Sequence, residues 1–170
     1  MSPKVGKLLN ITAMYGIVLI LVLILQTVLP LRIFGVKPNY ALAAVVAFAL
    51  FEGPSRGAVF GAVLGFVLDC TAGALVGYFG LLLMLSGFLV GILSETALWR
   101  NLPAALAALG AVYGIVTVIL VVWHCLILLD PVAMLPYLWI YFVEFLLTAV
   151  VLVPAYFGAK AASKRLTELE

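Results

Sequence analysis

The chain has 170 residues, 67% of them hydrophobic and 9% charged, with a formal net charge of +2 and a mean hydropathy of +1.34. A soluble domain carries roughly 25% charged residues, so this chain lacks the polar groups to cover its own surface in water, and lipid is its expected solvent. Its length leaves almost nothing for a soluble module, no basic stripe interleaved with aromatics points to nucleic acid, and two cysteines with one histidine are too few for a metal centre or a disulfide scaffold.

Met1 to Lys7 is short and basic, and an apolar run follows from Leu8 to Leu29. As a helix that run is roughly 33 Å long, enough to cross a bilayer. It exceeds a signal-peptide core, and no A-x-A-like cleavage site precedes Gln26, so a retained first helix over 8–29 is expected. Pro30, Gly35 and Pro38 close it and launch a second helix over 39–51. Glu52-Gly53-Pro54-Ser55-Arg56 reads as a tight polar turn, with Gly53 at a helix C-terminus and Ser55 as an N-cap. A third helix is predicted over 57–69, and a small-residue connector from Cys70 to Gly77 leads to a fourth over 78–94. After the polar stretch Glu95–Asn101, Pro103 opens a fifth over 103–129. Asp130-Pro131 then turns the chain into a sixth over 132–158, before the charged tail Lys160–Glu170. The expected fold is an all-α bundle of six transmembrane helices, a single integral membrane domain over 1–170.

Six spans place both termini on one side with the Glu52–Arg56 turn and the Glu95–Asn101 loop. Lys4, Lys7, Arg56, Arg100, Lys160, Lys164 and Arg165 gather there, against Arg32 and Lys37 opposite. By the positive-inside rule the termini are cytoplasmic. Helices two and three, at about 13 residues each, fall below the usual minimum of about 17. A concave outer side is therefore expected, with Asn39 and Asp69 below the outer surface.

Gly57, Gly61 and Gly65 recur every four residues, and Asp69 continues the series. Such a face serves either internal packing or the docking of a partner helix, since small residues let helix backbones approach closely in lipid. Gly73 with Gly77 and Gly87 with Gly91 repeat the spacing. Glu144 is the one ionisable residue near the middle of a span, where a carboxylate costs roughly 2.5–3.5 kcal/mol and marks a functional candidate. Tyr137, Tyr141 and Thr148 share its helix face. If helices five and six form a hairpin, Thr117 comes level with Glu144 and Tyr113 lies one turn away, on the stripe of His124. Glu144 is then either protonated and held by Thr117 or a tyrosine hydroxyl, stabilising the bundle, or engaged with a partner or ligand. His124 reads as a capped polar residue near the outer interface. Asn39, Asp69, His124 and Glu144 form the candidate polar site, with Cys70, Cys125 and Asp130 mapping to the same side. Trp99, Trp123 and Trp139, with Tyr137, read as interfacial anchors. No nucleophile elbow, phosphate-binding loop, H-E-x-x-H or paired catalytic carboxylates appear, so neither catalysis nor a cofactor is expected.

Pro38-Asn39-Tyr40 opening an apolar segment, then Glu52-Gly53-Pro54-Ser55-Arg56-Gly57, then Gly61 to Asp69, then Gly73, Gly77 and Gly80, resemble the rod shape-determining MreD family. The detailed match covers about residues 38–91. Asn39 stands where the family often has Asp. The resemblance implies a non-enzymatic part of the bacterial elongation machinery in the inner membrane. It would bind MreC and connect to a RodA-type glycosyltransferase, a class B penicillin-binding protein and MreB filaments. It also implies a fold similar to the S-components of energy-coupling-factor transporters, six helices around an outward-facing pocket. Such an S-component, capturing a vitamin-like solute, is the alternative reading. A vitamin site needs several convergent polar groups, and the outer helix ends offer few.

Overall fold

A computed structural model shows six helices: α1 (Pro3–Val28), α2 (Tyr40–Glu52), α3 (Pro54–Ala72), α4 (Tyr78–Thr96), α5 (Leu102–Trp123) and α6 (Met134–Leu169). It describes residues 3–28, 32–33, 35–72, 77–96, 101–123 and 134–169. No strand occurs among them; an isolated bridge joins Ile33 and Val36 across a turn with Gly35 at φ +80°.

α2 sets the architecture. Its residues Tyr40 to Leu50 are apolar on every side, and all are buried. A helix without a polar face has to be surrounded, and α2 is packed against each of the other five helices. Its many alanines keep the surrounding rods close. Phe48 stacks on Phe60 of α3, with ring centroids 4.4 Å apart, and meets Tyr15 of α1 edge-on at 5.0 Å.

Gly53 alone separates α2 from α3. It takes φ +86°, a left-handed conformation that favours glycine, and its N–H donates to the Ala49 carbonyl at 3.1 Å. Pro54 then opens α3, where its missing N–H costs nothing. The predicted start at residue 57 is therefore too late, and Ser55 lies inside the first turn rather than at the N-cap. The end is later too, so α3 has 19 residues and is not a short helix. Only α2, at 13 residues, stays short, about 20 Å long.

α3 and α4 form an antiparallel hairpin closed through glycine. Gly57 lies against Gly87, Gly61 against the Leu83 carbonyl, Gly65 against Phe79 and Gly80, and Gly91 against Pro54. A Cβ at Gly61 or Gly65 would overlap backbone atoms of α4. The small-residue face is thus covered from within the chain.

Three stretches are long and apolar enough to cross a membrane: Tyr78–Glu95, Leu102–Ile119 and Pro136–Lys164. The perimeter exposes large apolar side chains, among them Ile17, Val59, Phe66, Leu81, Ile119 and Phe142. A second correction concerns the end of α6: the helix passes through Pro154 as expected but continues to Leu169, well beyond residue 158. The tail is rich in Ala, Lys, Leu and Glu, all good helix formers. The predicted end of helix five at 129 and the Asp130-Pro131 turn lie outside the described residues.

Candidate functional site

The site is built around the N-terminal end of α2. The first N–H groups of a helix have no partners within it, and in lipid each must be satisfied by protein. Asn39, just after Pro38, is the last residue before the helix and stands at its N-cap, a position asparagine favours. The Asn39 Oδ1 accepts the Leu42 N–H at 3.0 Å, and its backbone carbonyl accepts the Ala43 N–H at 3.1 Å. The Tyr40 N–H donates to Gln26 Oε1 of α1 at 3.0 Å, and the Asn39 N–H donates to Thr148 Oγ1 of α6 at 3.0 Å.

From Thr148, which is fully buried, the hydrogen bonds run in one direction. Tyr113 of α5 lies 3.1 Å from Thr148 Oγ1 and donates its hydroxyl hydrogen to Glu144 Oε1 at 3.2 Å. Each hydroxyl has one hydrogen. With Tyr113 donating to Glu144, Thr148 donates to Tyr113, and the order is Asn39 N–H, Thr148, Tyr113, Glu144. Asn39 and Glu144 border the same cavities. The chain therefore ends on an acceptor, and the positive end of α2, worth about half an elementary charge, lies beside it.

Two adjoining cavities open here, of about 420 and 240 Å³, and Asn39, Phe79 and Glu144 line both. The larger is bordered by Gln26, Lys37 and Ile140. The smaller is bordered by Tyr78, Tyr113 and Tyr141 with Leu42, Leu82 and Val116. Both lie at the end of the molecule opposite the Gly53 link. α2 starts too deep to fill the space above it, so the concavity follows from one short helix rather than from two.

Asp69 does not join this cluster. It is 2% exposed, and its Oδ2 accepts the N–H groups of Gly77 and Gly80 while Oδ1 accepts that of Phe79, each at 3.0 Å. Gly77, at φ +99°, has no side chain with which to cap α4. A carboxylate at the end of α3 does so instead, fixing the hairpin and holding Phe79 at the cavity wall. His124 and Cys125 lie outside the described residues, so the structure brings together Asn39 and Glu144 of the four candidates. Of the two partners expected for Glu144, a tyrosine hydroxyl rather than Thr117 takes the place, that of Tyr113, one turn earlier in α5. Gln26 and the hub role of Thr148 were not foreseen. An amide near the end of an apolar run was the available signal for Gln26.

At the far end, the Tyr15 hydroxyl donates to Glu52 Oε2 at 3.0 Å and Arg56 pairs with the same oxygen at 2.8 Å. These bonds join α1, α2 and α3. Among the described residues, no three histidine, cysteine or carboxylate side chains gather as a metal-binding group.

No family model, curated protein or solved structure matches this chain.

Proposed function

We propose that the chain is a non-enzymatic membrane scaffold similar to MreD. In this reading it crosses the bacterial inner membrane six times, keeps both termini in the cytoplasm and binds MreC. Through MreC it supports peptidoglycan synthesis by a RodA-type glycosyltransferase and a class B penicillin-binding protein, in step with MreB. One observation carries the reading. Among the described residues on which the resemblance rests, Asn39 caps α2, Gly53 links α2 to α3, Gly57, Gly61 and Gly65 close the hairpin, and Asp69 caps α4. Because the glycine face is already covered, partner docking falls to the apolar perimeter and to the concavity, which faces outward in this orientation. Docking regulates synthesis only by differential binding to active and inactive assemblies.

A second reading, the S-component of a vitamin transporter, is favoured by the convergence of Gln26, Asn39, Tyr113 and Glu144 on the cavities. Isolation of the tagged chain from its native membrane separates the two. Recovery of MreC supports the scaffold. Recovery of an ATPase pair with bound solute supports the transporter and overturns the scaffold.

A further inference from the structure

We propose that the smaller cavity is a binding site for an ammonium group, carried either by a lipid headgroup or by a small soluble cation. Four aromatic residues, Tyr78, Phe79, Tyr113 and Tyr141, line it together with Glu144. Aromatic walls attract a cation through the negative faces of their rings, and the attraction grows where water is excluded. A carboxylate supplies the full opposite charge.

The surroundings of Glu144 point to the same occupant. Among the described residues no basic side chain lies within 4.0 Å of it. Lys37 borders the wider cavity, but it is exposed and forms no ion pair with Glu144. The end of α2 offsets about half of one negative charge. The other nearby helix start, that of α4, is already occupied by Asp69. Tyr113 occupies one acceptor position of Glu144 at 3.2 Å, and the carboxylate lines both cavities. A carboxylate can accept about four hydrogen bonds, so acceptor capacity remains on the cavity side. An ammonium group meets the carboxylate and the aromatic walls together, whereas a neutral apolar solute meets only the walls and an anion is repelled by both. The inference rests on the cavity, independently of the scaffold reading, and its outcome does not depend on recovery of MreC.

The experiment is a calorimetric titration of the purified full chain in a non-ionic detergent. Its probes are choline, ethanolamine, tetramethylammonium and 3,3-dimethyl-1-butanol, the neutral carbon analogue of choline. The expected result is binding of the ammonium probes with the neutral analogue weaker by at least about tenfold. Glu144→Gln and Tyr141→Leu should each weaken choline by about tenfold or more. The comparison of choline with its neutral analogue uses the wild-type chain, so it decides the matter even where a variant fails to fold. Selective retention of phosphatidylethanolamine over phosphatidylglycerol through purification identifies a lipid headgroup as the source. Binding of free amines without such retention identifies a soluble cation. Equal binding of the neutral analogue overturns the proposal, as does the absence of both amine binding and lipid retention.

Discussion

Thr148 has a single hydroxyl and serves two helices, accepting the N–H of Asn39 and donating to Tyr113. Thr148→Val keeps the shape but strands the Asn39 N–H, and should cost about 1–3 kcal/mol. A lower melting temperature in detergent, largely restored by Thr148→Ser, is the expected readout. Asp69 should matter more. Alanine there leaves three N–H groups without an acceptor, for a loss of about 3 kcal/mol or more. Asp69→Asn keeps one carbonyl oxygen, which can still serve Gly77 and Gly80, so its loss should be the smaller; equal losses would show that capping is not its role. Tyr40 is the opposite case. Its buried hydroxyl has no hydrogen-bond partner among the described residues, so Tyr40→Phe should raise stability by about 1 kcal/mol.

At the scale of helices, the glycine positions divide by what surrounds them. Gly61→Ala drives a methyl into the Leu83 carbonyl and should destabilise the α3–α4 hairpin by about 1–3 kcal/mol. Gly114→Ala in α5 meets nothing within 4 Å and should instead be neutral or stabilising, by up to about 1 kcal/mol. Paired melting curves check the contrast. Both residues are glycines within apolar helices, and Gly110 with Gly114 repeats the four-residue spacing of Gly57, Gly61 and Gly65, so only the packing tells them apart. The breaks at Pro38, Gly53 and Pro103 were legible because proline and glycine act through local backbone geometry. The hidden features were those requiring a partner distant in sequence. Asp69 was read as part of the polar site because its three donors lie at and just before the start of the next helix. Tyr113 was placed one turn away because the register of α5 on α6 depends on packing, not on the turn between them. The passage of α6 through Pro154 was expected, since membrane helices tolerate proline where neighbours satisfy the freed groups; its continuation past 158 was missed because the charged tail reads as the end of an apolar run.

Among the described residues a central apolar helix packs against five others, and that arrangement gives the proposed orientation a direct test. Cys70 is exposed at one end of α3 and Ser55 at the other, about 22 Å away along the axis. In a Cys125→Ser background, a membrane-impermeant maleimide should label Cys70 from outside the cytoplasmic membrane. In a chain with both native cysteines replaced, Ser55→Cys should react only after permeabilisation. The reversed pattern would invert the topology and turn the cavities toward the cytoplasm. The enclosed helix also has a consequence in time. Asn39 and Thr148 are 109 residues apart, so at roughly 5–20 residues per second a ribosome completes α2 several seconds before delivering its last companion. Until then the nascent rod has an open flank and an unanswered amide. A protein stalled or truncated after α5 should therefore be degraded by membrane quality control rather than accumulate as a five-helix fragment.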